Sequence, residues 1–358
     1  MSVVEREIEF LSAGVRCRGL FVRPVAEAPA PLIVLAHGLG GIYEMRLDAY
    51  AREFAAAGYA ALTFDYRNFG RSDGVHRHML ARAAQQRDID AAIDFGKTLD
   101  GVDGSRVALW GTSLAGGHAI DVASRRGDLS ATVIQAPFTD GVASLRATSL
   151  ASALGTGAFV IADALSRLIR RKPVLVPLAA TPWLPALMTK PDVVQGVLGL
   201  LPDGTKLSRR LSTLYARFAE RKINLDAHLA KSDLPEKYDE SGLVGSLVLP
   251  SGSVLINGVG ANFGLEIGFW RPGKNLARLR APVMVCVCAN DTVAPPGPTI
   301  AYAKRAPKAE VTVYPYQHFE IYVGTAFREV VRDQIAFLTR VLPVAKADED
   351  RRTSATTC

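Results

Sequence analysis

The sequence runs to 358 residues, 49% of them hydrophobic and 22% charged, a supply of apolar side chains that excludes a disordered chain and suffices for one large core. Four cysteines are too sparse for a disulfide scaffold, and Cys286 and Cys288, alternating in an apolar run, are expected as buried strand residues of a reduced, cytoplasmic protein. The net charge of +7 is concentrated in residues 141–280, where 18 Lys and Arg face 10 Asp and Glu; without interleaved aromatics or a recognition motif, this argues against nucleic acid as a partner.

The chain opens on MSVVEREIEF, which is charged where a secretory signal would be apolar. Residues 5–11 and 15–22 are expected to form an antiparallel pair around a Ser-Ala-Gly turn. The apolar run 32–36 reads as a strand buried on both faces. A helix over 44–57, a strand at 60–64, a helix over 81–99, a strand at 107–110, a helix from Leu114 and a strand at 131–134 follow. After residue 280 the alternation resumes with a strand at 283–287, a short helix at 298–306, a strand at 311–314 and a last helix through Leu342. This order predicts an α/β fold, with a mostly parallel sheet flanked by helices. Residues 1–140 and 281–345 would form its core, and 346–358 a polar, flexible tail.

Residues 141–280 interrupt this sheet rather than follow it. An inserted segment that leaves and rejoins one end of a parallel sheet covers the carboxyl ends of its strands, where such sheets bind ligands, so a cap is expected here. The insertion begins apolar and proline-rich, turns charged and helical over 209–231, and ends glycine-rich over 242–268. Its most apolar stretch, 148–169, is broken by Asp163 and followed by Arg170, Arg171 and Lys172. It reads as a cap helix, and no integral membrane span is expected. The basic surplus is either a solvated face or an attractor for an anionic or carrier-linked substrate.

The strongest chemical signal is Trp110-Gly111-Thr112-Ser113-Leu114-Ala115-Gly116-Gly117, which follows one predicted strand and opens a helix. A serine on a sharp strand-to-helix turn needs small neighbours two residues either side, and Gly111 and Ala115 supply them. That turn presents the hydroxyl of Ser113 and points the amide of Leu114 at a developing oxyanion. Ala36-His37-Gly38-Leu39-Gly40-Gly41 follows another strand, with Leu39 as the second amide donor. A dinucleotide loop would need glycine at position 43, which is Tyr, although Asp65 lies downstream.

A serine needs a base, and the base an orienting acid. Of six histidines only His318 sits just past the last predicted strand. His118 lies on the helix after Ser113 and cannot readily fold back. His76 and His78 resemble a metal pair but lack further ligands, so a surface loop is preferred and no metal is expected. Asp291, in Ala289-Asn290-Asp291-Thr292-Val293-Ala294-Pro295, falls in a loop after a strand; its competing reading is a helix cap, and Asp140 is the reserve acid.

Together these motifs resemble the α/β-hydrolase superfamily over about 30–140 and 281–342. Gly111 to Gly117 is similar to the elbow of its dienelactone-hydrolase-like and serine-aminopeptidase-like branches. Asp65-Tyr66-Arg67-Asn68-Phe69-Gly70-Arg71-Ser72-Asp73-Gly74 looks like the loop after its fourth strand, and Asp291 to Pro295 like its acid loop. The nearest likeness is to bacterial relatives of fungal polyketide transferases and thiohydrolases. Ala115 replaces the usual second glycine, and Asn68 stands where the family often has glycine.

The resemblance implies an α/β-hydrolase fold with an inserted cap domain, and hydrolysis of an ester, thioester or amide through an acyl-enzyme on Ser113. His318 would relay the proton, Asp291 orient it, and Leu39 and Leu114 hold the oxyanion, with no cofactor. The expected partner is a small-molecule acyl substrate, and a homodimer is left open. Rival readings are an acyltransferase with the same triad, an exopeptidase (which would need an acidic patch for the substrate amine), and a binding module on an inactive scaffold.

Overall fold

Strands β1 (Val3–Ser12) and β2 (Val15–Pro24) open the chain as an antiparallel hairpin. Ala13 and Gly14, with φ of 46° and 80°, make a two-residue turn whose twist matches that of paired strands. The structure, a computed structural model, describes residues 2–147, 150–169, 173–180, 186–210 and 244–344.

The predicted alternation follows: β3 (Ala30–Ala36), α1 (Leu47–Ala56), β4 (Ala60–Phe64), α2 (Arg82–Gly96), β5 (Val102–Thr112), α3 (Leu114–Arg125) and β6 (Ala131–Gln135). Every residue of β3, β4 and β6 is buried, as the unbroken apolar run of β3 requires of a strand covered on both faces; β4 and β6 bury Thr63, Thr132 and Gln135 as well. Helix α1 starts three residues later than expected because Arg46 takes a left-handed φ of 78° just before it.

Between β6 and the next sheet strand lie α4 (Gly141–Ala147), α5 (Leu150–Leu168), β7 (Leu175–Val176), α6 (Val193–Gly199), β8 (Lys206–Arg210), β9 (Val244–Val248), β10 (Val254–Ile256), β11 (Val259–Gly260) and α7 (Phe263–Phe269). β8, β9 and β10 form a small antiparallel sheet, and β7 pairs with β11. The glycine-rich stretch is thus built of short strands and a helix, with Gly252 turning β9 into β10 at φ 83°. Of the helix expected over 209–231, Arg209 and Arg210 end β8, and the rest lies outside the described residues.

No described helix is long and apolar enough to cross a membrane. Asp163, the charge interrupting the apolar stretch, is buried, pairs with Arg167 at 2.7 Å and accepts the amide of Val174 at 2.7 Å, tying α5 to the chain that follows it. The insertion rejoins the helical layer at Trp270, whose indole N–H donates to Asp121 at 2.9 Å; Asn275 donates to the same carboxylate at 2.8 Å.

Strand β12 (Val283–Cys288), α8 (Pro296–Ala303), β13 (Ala309–Tyr314) and α9 (Gly324–Val341) complete the molecule. The main sheet has eight strands in the order β1-β2-β4-β3-β5-β6-β12-β13, antiparallel at β1-β2-β4 and parallel from β4 onward. Cys286 and Cys288 are buried free thiols in β12. The tail expected over 346–358 lies outside the described residues.

Three histidines in this core predict an acid-labile fold. Burial pushes His37 and His78 down to about 4 and His118 down to about 3. An unfolded histidine titrates near 6.5, so below that pH the unfolded chain binds more protons, and stability falls as pH drops from 6.5 towards 4. Asp65 works the other way. Burial raises it to about 7, although the amides of Tyr43 and Arg71 donate to it at 2.9 Å, so its share of stability grows below neutrality. Three histidines against one aspartate predict a Tm lower by roughly 5 °C at pH 4.5 than at pH 6.5. Circular-dichroism melts measure this, and an unchanged or higher Tm at pH 4.5 would contradict it.

The surface-loop reading holds for His76, which is exposed, and fails for His78. His78 is buried at a φ of 60°, edge-on to Phe69, with the amide of Ile256 3.4 Å from its Nε2. It joins the loop after β4 to β10, a long-range packing role invisible in its spacing from His76. No group of three metal-ligating side chains is found among the described residues.

Candidate active site

Ser113 ends the turn between β5 and α3 at φ 54° and ψ −123°, a strained conformation that L-residues rarely adopt. The surrounding backbone holds it there. Its amide donates to the Gln135 carbonyl at 2.9 Å, and its carbonyl accepts from Gly116 and Phe138, each at 2.9 Å. The tight path explains the small residues: a Cβ on Gly111 would lie 2.3 Å from the Ala115 carbonyl oxygen, and one on Gly117 would lie 2.7 Å from that of Phe138.

The structure brings Ser113, His318 and Asp291 into one chain of hydrogen bonds. His318 Nε2 is 3.0 Å from Ser113 Oγ, and His318 Nδ1 is 2.7 Å from Asp291 Oδ2. The histidine and aspartate side chains are 2% and 1% exposed. With Nδ1–H donating to the carboxylate, Nε2 keeps its lone pair for the serine proton. The other carboxylate oxygen, Oδ1, accepts the amides of Val293 at 2.8 Å and Ala294 at 2.6 Å. Asp291 therefore also closes the turn before α8, but it is not that helix's cap, since the cap position is Pro295 and no side chain bonds to the helix start. Asp140 is engaged elsewhere, accepting from Tyr302 at 2.6 Å and Arg271 at 2.9 Å.

Leu114 is the first residue of α3, where helix amides have no partner within the helix. Leu39 and Leu114 border the same cavity as Ser113. The His37–Gly41 loop reaches the serine because Gly38 lacks a side chain: a Cβ there would lie 2.9 Å from that of Ser113. His37 steadies this loop, its Nδ1 3.1 Å from the Gly38 carbonyl and its Nε2 3.4 Å from the Tyr66 amide. At about 4, its depressed pKa keeps the ring neutral, so Nδ1 donates and Nε2 accepts.

Beneath the serine lies a buried polar network that the sequence did not reveal. The Thr112 hydroxyl bonds to the Tyr322 hydroxyl and the Gln135 carbonyl; Gln334 bridges the Gln135 side chain at 2.8 Å and the Trp110 indole at 3.0 Å. These residues come from four separate stretches, and no local pattern links them.

The cavity over Ser113 has a volume of about 550 Å³. Its wall includes Phe138 and Val293 from the sheet's loops and, from the insertion, Val160, Met188 and Ile267. No acidic side chain lines it among the described residues.

A family model described as serine aminopeptidase, S33, matches residues 27–195. The quorum-quenching protein AidA of Acinetobacter baumannii (strain MDR-ZJ06) is 39% identical over 94% of this chain and 95% of its own length. A thiohydrolase of Aspergillus aculeatus, AneE, is 35% identical over 33% of this chain and 36% of its own length. Among solved structures, that of DcsB in complex with its substrate analogue superposes with a TM-score of 0.70 at 18% identity, covering 95% of this chain and 99% of the other.

Proposed function

Since the chain belongs to the α/β-hydrolase superfamily, we propose that it is a serine hydrolase that cleaves an ester, thioester or amide of a small to medium organic substrate. The observation that carries this reading is the continuous Ser113–His318–Asp291 hydrogen-bond chain opening into a 550 Å³ cavity. As Ser113 Oγ bonds to the substrate carbonyl carbon, its proton passes to His318 Nε2, and Asp291 supports the imidazolium. The amides of Leu39 and Leu114 hold the oxyanion, each worth about 10²–10³ in rate. Collapse expels the leaving group with the proton from His318; water, deprotonated by the same nitrogen, then releases the acid.

Residues 141–280 act as the cap, and the apolar wall that its described residues supply suits an acyl chain or aromatic group. An aminopeptidase would need a carboxylate to hold the substrate amine, and the described lining offers none. Acyl transfer remains the rival with the same triad, decided by whether an added alcohol or amine captures the acyl group.

Matched octanoyl oxygen ester, thioester and anilide test the reading. Turnover of at least one supports it; no turnover of any, together with no fluorophosphonate labelling, overturns it. The 39% identity to a quorum-quenching protein favours a narrower second reading, in which the acyl compound is an intercellular signal. Loss of signal from a reporter culture treated with the purified protein would support that reading.

A further inference from the structure

One residue with a charged side chain, Lys190, is among the described residues that line the cavity over Ser113. It is half-buried, and no described carboxylate lies within 4 Å of it. The acid nearest in sequence, Asp192, is occupied: both its oxygens accept from the Thr292 hydroxyl, at 3.0 and 3.2 Å. Lys190 is also held in place, since its carbonyl accepts the Val193 amide at 3.1 Å where α6 begins. An ammonium beside an apolar wall, with no partner among the described carboxylates, gains from a ligand that supplies the opposite charge.

The position of His318 decides which part of a substrate meets this lysine. The leaving group must lie where His318 can protonate it, and His318 does not line the large cavity. It borders an adjoining hollow of about 60 Å³, which shares Ser113, Leu39 and Met188 with the large cavity and adds Gly38, Thr112 and Phe319. The large cavity, on the side of Leu114 and away from His318, is therefore left for the acyl group.

We propose that Lys190 is a specificity-determining residue that pairs with a carboxylate on the acyl chain, so that the preferred substrates are ω-carboxyacyl esters or thioesters. The proposal rests on the serine-hydrolase reading and assigns its substrate class. A charged hydrogen bond in a partly dry pocket is worth about tenfold to a hundredfold in selectivity.

The test compares kcat/KM for 4-nitrophenyl hydrogen suberate and 4-nitrophenyl octanoate in the wild type, Lys190→Met and Lys190→Arg. The wild type should prefer the suberate half-ester by about tenfold or more. Lys190→Met should lose that preference while octanoate turnover stays within about threefold, and Lys190→Arg should keep part of it. A second readout needs no catalysis: free suberate should raise the Tm of the wild type and leave that of Lys190→Met unchanged. No preference in the wild type, equal losses on both esters, or an equal thermal shift in both proteins would overturn the proposal. Failure of the hydrolase reading looks different, with neither ester turned over by the wild type and no fluorophosphonate labelling; suberate binding then still decides the role of Lys190.

Discussion

Replacing Ser113 with alanine should lower kcat/KM for any ester this protein cleaves by about four to six orders of magnitude and leave its Tm within about 2 °C. The loss is large because the covalent step disappears, while binding and the oxyanion amides survive. The fold should tolerate the change because the hydroxyl's hydrogen bond goes to His318, beside an open cavity, and the Cβ is retained. The strained turn is built by backbone bonds to Gln135, Gly116 and Phe138, which alanine keeps. Steady-state kinetics beside a thermal melt measure both halves, and a variant within tenfold of wild type would place the nucleophile elsewhere.

Asp291→Asn should cost about 10⁴ in kcat at nearly unchanged stability. The amide oxygen of asparagine can still accept from Val293 and Ala294, so the turn before α8 survives. Its NH₂, facing His318 Nδ1, would donate and force the opposite tautomer, leaving an N–H directed at the serine where a lone pair is needed. Asp291→Ala separates the two roles, since it also removes both turn hydrogen bonds and should lower stability by about 1 kcal/mol more than the asparagine. Rates within tenfold of wild type for both variants would show that the carboxylate does not orient the histidine.

Legibility followed the range of the interactions. The buried strands could be read because burial on both faces demands a mostly apolar run, unbroken in 32–36 and interrupted only by Thr63 in 60–64 and Thr132 in 131–134. Ser113, Asp291 and His318 were each marked by a loop just past a predicted strand, so strand order alone brought them to one edge. The short strands β7 to β11 were missed because two to five residues carry too little alternation, and β7 and β8 pair with strands far off in sequence. The same reason hid His78, the Thr112–Tyr322 contact and the cavity position of Lys190: each is defined by what folds against it.

The nucleophile itself can be observed directly. After treatment with a fluorophosphonate, intact-protein mass spectrometry should show a single adduct, and peptide mapping should place it on Ser113; the His318→Ala protein should label far more slowly. No adduct on a folded wild-type protein, or one mapped to another serine with Ser113 unmodified, would contradict the account.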